Sequence, residues 1–147
     1  MTIYFYRTGD LYGCFSNFAH YEFEVNGIVW RTSEHFFQAH KFIDKEYFER
    51  IRMAFSPMDA ATLGRSRKIP IRPDWEEIKD DIMRKAVFEK FSQNTELKDI
   101  LINTGEQEIV EATTTDYYWG CGNDGTGKNM LGKILMQTRE ILKIGGK

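Results

Sequence analysis

A chain of 147 residues with 41% hydrophobic and 29% charged side chains is ordinary for a single globular domain and long enough to bury a sizeable core. A formal net charge of −2 and a pI of about 5.9 exclude the broad basic face that grips a nucleic-acid backbone, but leave room for a few local cations on a small phosphorylated ligand. The two cysteines, Cys14 and Cys121, form no C-x-x-C pair, which excludes a disulfide scaffold or zinc module. With no signal-peptide pattern and no apolar run of membrane-spanning length, the expected compartment is a reducing cytoplasm.

In chain order, residues 3–6 suit a short strand, Arg7-Thr8-Gly9-Asp10 a turn, and 11–18 a loop over the core. Tyr21, Phe23 and Val25 alternate, Asn26-Gly27 follows, and Ile28 and Trp30 alternate again. This pattern predicts a hairpin whose two turn residues take positive φ. A helix then begins near Ser33, with Thr32 or Ser33 accepting the first free N–H groups and Glu34 in the first turn, where the helix dipole favours a carboxylate. Glu34, Phe37, Gln38 and Lys41 fall at i, i+3, i+4 and i+7 and share a face; Phe36, Ala39, His40 and Ile43 form an apolar stripe behind. The polar face is either one wall of a pocket or the solvated side of an amphipathic surface helix.

A second helix is expected from Asp44 or Lys45, with Phe48, Ile51 and Phe55 at i, i+3 and i+7, stopping before Ser56-Pro57. A third starts from Ser56 as N-cap with Pro57 at its first position and Asp59 two residues on, and is closed by Gly64 as a C′ glycine. A basic loop covers 65–73. Asp74 with Glu77 has the capping-box pattern for a long helix carrying Ile78, Ile82 and Ala86 in one row and Met83, Val87 and Phe91 beside it, ending near Gln93-Asn94. A fifth helix over 96–103 turns Leu97, Ile100 and Leu101 inward. A buried strand over 108–112 and a loop over 113–128 lead to a last helix over 129–142, with Leu131, Ile134, Leu135 and Leu142 inward. The tail Gly145-Gly146-Lys147 should fray. The fold class is mainly α (α+β): one helical domain over 1–147 with a few short strands, no repeat and no linker, unlike a doubly wound sheet.

Several clusters could carry chemistry. Gly120, Gly122 and Gly125 match G-x-G-x-x-G, and Gly122, Gly127 and Lys128 match most of a P-loop. The segment before them is not a buried strand, and Asn129 stands where a P-loop needs Ser or Thr, so neither motif holds. What remains is a glycine loop running into a helix N-terminus, either an anion cradle or a surface loop. Asp116 beside Tyr117, Tyr118 and Trp119 is either an acid facing a planar ligand or a turn aspartate among core aromatics; Trp75 is either core or a stacking plate. Arg65, Arg67, Lys68 and Arg72 are either a solvated loop or a phosphate site. His20, His35 and His40 lack metal-site spacing, and there is no G-x-S-x-G and no defensible Cys–His pair.

Seven stretches, in order, resemble the YbiA family, also called the NADAR superfamily: GCFSNF from Gly13, WRTSEHFFQAHKF from Trp30, SPMDAATLGR from Ser56, Asp74-Trp75, MRKAVFEKF from Met83, TDYYWGCG from Thr115 and GKNMLGKILMQTRE from Gly127. Together they cover nearly the whole chain. The resemblance implies a mostly helical domain that cleaves an N-glycosidic bond at ribose C1. Two substrate classes are attached to the family: the ribosylamino-pyrimidine phosphates of early riboflavin synthesis, and ADP-ribose on guanine, including guanine in DNA. It implies no cofactor, no membrane and no obligate protein partner. Carried over by motif, the catalytic positions are Glu34, Lys41 and Asp116. The substrate-binding positions are Ser16, Asn17, Phe18, Trp75, Trp119, Gly120, Arg65 and Asn129.

Breaking a ribose C–N bond builds positive charge at C1 and leaves a base that needs a proton. Glu34 and Asp116 could divide those roles as paired carboxylates do in glycosidases. Alternatively, Lys41 attacks C1 and forms a Schiff base while Glu34 shuttles protons. The reading from a different class is a non-catalytic ADP-ribose or nucleotide-binding module, which has no need of two acids and a lysine at these positions.

Overall fold

The computed structural model describes residues 1–145; the rest of the expected fraying tail, Gly146-Lys147, lies outside them. Within that range the chain forms β1 (Thr2–Phe5), β2 (Phe23–Val25), β3 (Ile28–Trp30), α1 (Ser33–Ala39), α2 (Lys45–Arg52), α3 (Pro57–Arg65), α4 (Trp75–Gln93), α5 (Thr95–Asn103), β4 (Glu108–Glu111) and α6 (Met130–Gly145), an α+β fold. No helix among the described residues is long and apolar enough to cross a membrane. The chain divides into two compact units, one of His20–Lys90 and one of Met1–Ala19 with the segment from Phe91 onward.

In the first of these, the hairpin forms as its spacing predicts. Asn26 and Gly27 take φ of 53° and 82°, and Phe23 pairs with Trp30 across the antiparallel β2–β3 ladder. Trp30 and Phe36 pack edge to face at 5.1 Å, which joins the hairpin to α1 and seeds a core that includes Phe42, Tyr47, Ile51 and Ala60. Thr32 is the N-cap of α1, its hydroxyl accepting from the His35 amide at 3.1 Å.

Four readings fail in this unit. All seven residues of α1 are buried, so it is no amphipathic surface helix. The helix ends at Ala39; Ile43, placed on its apolar stripe, lies beyond it and is 67% exposed, and Phe55, spaced with Phe48 and Ile51 as part of α2, is 89% exposed after that helix has stopped. Gly64 is not a C′ glycine. α3 continues through it to Arg65, and a Cβ there would stand 1.9 Å from the Gln38 side-chain oxygen. The breaker signal was real, but its cause is a close approach rather than a left-handed backbone.

In the other unit, β1 pairs in parallel with β4, Ile3 opposite Ile109. The expected loop over 11–18 contains one 3-10 turn, Gly13–Phe15, whose Phe15 meets Phe5 and Phe91 edge to face at 5.9 and 5.7 Å. Leu131, Ile134, Leu135 and Leu142 of α6 are buried, as are Leu97 and Leu101 of α5. Arg139 ties α6 to the α5–β4 connection by donating to Thr104 Oγ1 at 2.9 Å and the Gln107 carbonyl at 2.8 Å.

Candidate active site

The short helix α1 is held in register by His35. Its Nε2 lies 3.1 Å from the Ala54 carbonyl, which can only accept, so Nε2 carries the proton and Nδ1 accepts from the Thr32 hydroxyl at 2.7 Å. Burial pushes the pKa of His35 down, in keeping with that neutral tautomer. With the first turn so pinned, Glu34 is 8% exposed and Gln38 follows it one turn on at 7%. Gln38 Nε2 donates to Glu34 Oε2 at 2.7 Å. A carboxylate only accepts, so the amide must turn its NH2 to Glu34, which aims Oε1 at the α-carbon of Gly64 in α3.

Lys41 sits in the turn after α1. Its amide donates back to the Gln38 carbonyl at 3.2 Å, and its own carbonyl accepts from the Arg72 amide at 2.8 Å. The Nζ reaches the Gly64 carbonyl at 3.4 Å. Burial, and then the Arg67 guanidinium, pull the Lys41 pKa down to about 8; Glu34 opposes the shift, and Arg65 and Lys79 add to it. Arg67 Nη1 donates to the same Gly64 carbonyl at 2.9 Å. The basic stretch therefore splits. Arg65 and Arg67 act on Lys41, whereas Arg72 forks onto Asp74 at 2.7 and 3.2 Å. Trp75 is 5% exposed and packs on Phe37 of α1 with ring centroids 5.0 Å apart.

The remaining expected positions belong to the other unit. Asp116 Oδ1 accepts from the amides of Tyr118 and Trp119 at 2.9 and 2.8 Å, the geometry of a turn aspartate. Trp119 meets Tyr118 edge to face at 4.8 Å. The carbonyls of Tyr118, Trp119 and Gly120 accept from the amides of Met130, Leu131 and Asn129 at 2.9, 3.1 and 3.0 Å. These donors at the start of α6 are thus used within the protein, which overturns the anion cradle for them. Asn129, at φ 53°, donates from Nδ2 to the Ile109 carbonyl and accepts at Oδ1 from the Glu111 amide, each at 2.9 Å; its amide locks α6 to β4. Ser16 Oγ accepts from the Phe18 amide at 3.1 Å, and Asn17 between them is buried.

The structure thus brings Glu34, Lys41 and Arg65 within one electrostatic environment, joins to them Gln38 of the same helix face and Arg67 of the same basic stretch, and adds Gly64, which sequence reasoning did not place in the site. Gln38 had a signal, its i+4 spacing from Glu34. Gly64 had none, because the contact that requires it comes from another helix.

A NADAR domain matches residues 4–143. The chain is 51% identical over 142 residues to the protein named N-glycosidase YbiA of Escherichia coli K12, covering 97% of this chain and 89% of that one. It is 41% identical over 156 residues to the maize protein named riboflavin biosynthesis protein PYRR, chloroplastic, covering 95% of this chain and 25% of that one. The NMR structure of E. coli YbiA superposes with a TM-score of 0.92 at 50% identity, over 99% of this chain and 86% of that one. With a domain match and a fold match that each run nearly end to end, the chain belongs to the NADAR family.

Proposed function

We propose that this chain is an N-glycosidase that hydrolyses the ribose C1–N bond of a ribosylamino-pyrimidine phosphate of riboflavin synthesis. The observation that carries this reading is Lys41, a partly buried amine with a pKa of about 8 in the field of Glu34. Its motif lies in a chain 51% identical to a relative named an N-glycosidase. The substrate class follows the riboflavin name of the maize relative. Arg65 and Arg67, both exposed, are cations available to a substrate phosphate.

The neutral Lys41 amine attacks ribose C1. The C1–N bond breaks and its electron pair leaves with the base. Glu34 takes the proton that Nζ sheds on bonding to C1 and passes it to the departing base. The Nζ lone pair then expels the ring oxygen, which takes up the remaining Nζ proton, and water hydrolyses the resulting Schiff base to the free sugar phosphate and lysine. The resemblance adds Asp116 and Trp119, whose contributions the variants Asp116→Asn and Trp119→Phe test.

The experiment is base release followed by chromatography, from a ribosylamino-pyrimidine phosphate and an ADP-ribosylated guanine oligonucleotide in parallel. The expected result is turnover of the first, with a borohydride-trapped sugar adduct that Lys41→Ala abolishes. Turnover of the second alone reassigns the substrate. Binding of ADP-ribose with turnover of neither makes the chain a binding module, and turnover without an adduct reduces Lys41 to a substrate contact.

A further inference from the structure

Two local penalties meet at Gln38. No protein donor among the described residues reaches its buried Oε1, although leaving such a group unpaired is costly. Turning the amide over would face its oxygen to the Glu34 carboxylate, so the unpaired oxygen is the consequence of keeping the NH2 on Glu34 Oε2 at 2.7 Å. Gly64 is the second penalty. It sits inside α3 without a positive φ, where alanine would favour the helix. Glycine is what leaves Gln38 in this position, because a Cβ would stand 1.9 Å from Gln38 Oε1 and 2.6 Å from its Cδ and would force that side chain to shift. Both penalties vanish if the Gln38 side chain points elsewhere. The same Gly64 presents its carbonyl to Lys41 Nζ at 3.4 Å, so one residue seats the amide that holds Glu34 and also contacts the amine beside it.

We propose that Gln38, seated by the missing side chain of Gly64, is a positioning residue that restrains the rotation and favours the ionised state of the Glu34 carboxylate for proton transfer during C–N cleavage. This rests on the N-glycosidase reading above. An amide donor favours the charged form of a buried carboxylate and restricts its torsion. A carboxylate free to rotate loses the alignment with the reacting proton on which rate depends.

The test is steady-state base release by wild type, Gln38→Met, Gln38→Ala, Gly64→Ala and the double variant Gln38→Ala/Gly64→Ala, across pH and with melting temperatures. Gln38→Met keeps the length and removes the donor. It is expected to lower kcat about 100-fold with KM unchanged, and to raise by about one pH unit the point on the acid limb, below the Lys41 inflection at about 8, where a proton on Glu34 steepens the fall. Gly64→Ala is expected to reproduce both changes without a lower melting temperature. The double variant relieves the contact and so carries the comparison if Gly64→Ala alone does not fold; it should be no more active than Gln38→Ala. The inference is overturned if Gln38→Met keeps the wild-type kcat and acid limb, or if the double variant recovers the activity lost in Gly64→Ala, which would make Gly64 a packing residue. Those outcomes leave the N-glycosidase reading intact, whereas wild type that releases no base overturns both.

Discussion

Lys41 and Arg67 donate to one acceptor, the Gly64 carbonyl oxygen, at 3.4 and 2.9 Å. Burial first, and then the Arg67 cation on the same carbonyl, raise the cost of protonating Lys41, the weaker base of the pair, and push its pKa down from 10.5 to about 8. About a tenth of the amine is then neutral at pH 7. The rate of borohydride trapping should climb with pH and level off above 8. Arg67→Gln removes the second cause of the shift. It should move that profile to higher pH and slow trapping at neutral pH, with little change in alkaline solution. An unmoved profile would take Arg67 out of the field of Lys41.

Glu34→Gln keeps the shape of the side chain and removes the charge. If Glu34 carries the proton to the departing base, kcat should fall by roughly 10²–10⁴-fold while KM holds. Paired kcat and KM measurements decide it; a rise in KM alone would make Glu34 a binding group.

Asn129 was expected to touch substrate, but its amide oxygen and nitrogen both bond the β4 backbone. Asn129→Ala leaves those backbone groups unpaired and puts alanine at a positive φ, at a cost of about 1–3 kcal/mol. Urea titration should show a lower midpoint, with base release per folded molecule unchanged. A large loss of kcat at unaltered stability would return Asn129 to the substrate.

His35 and His40 both have pKa values pushed down, chiefly by burial. His40 packs on Phe36 with ring centroids 4.2 Å apart and lies 2.7 Å from the Phe36 carbonyl through Nδ1. The unfolded chain takes up these protons near the ordinary value of 6.5, before the folded chain does, so folding is favoured fully above that pH and progressively less as pH falls below it. Denaturant midpoints measured from pH 7 down to pH 5 should decline, and more steeply for wild type than for His40→Gln. Parallel slopes would remove His40 from the acid response.

Signals that act within a few residues were legible in advance. Asn26-Gly27 dictated its hairpin, because few other pairs hold positive φ twice in succession. Thr32, Asp44 and Ser56 cap their helices through their own side chains, as local chemistry requires. The spacing of leucines on α6 named its buried face. The seven motifs, read together, named the family that the domain match and the fold match later showed.

What the sequence by itself determined, then, was the order of elements, their caps and turns, the family, and the pair Glu34 and Lys41 as candidates. Only the tertiary structure decided how those candidates are held. It buried every residue of α1, set Gln38 against Gly64, brought Arg67 to the carbonyl that Lys41 also touches, and closed the amides at the start of α6 onto the loop before it. The decisive ones, Gln38 against Gly64 and Lys41 on the Gly64 carbonyl, join residues more than twenty positions apart. Periodicity and propensity register only neighbours a turn or two apart, whereas burial, steric fit and the field at an amine depend on what the rest of the chain packs beside them.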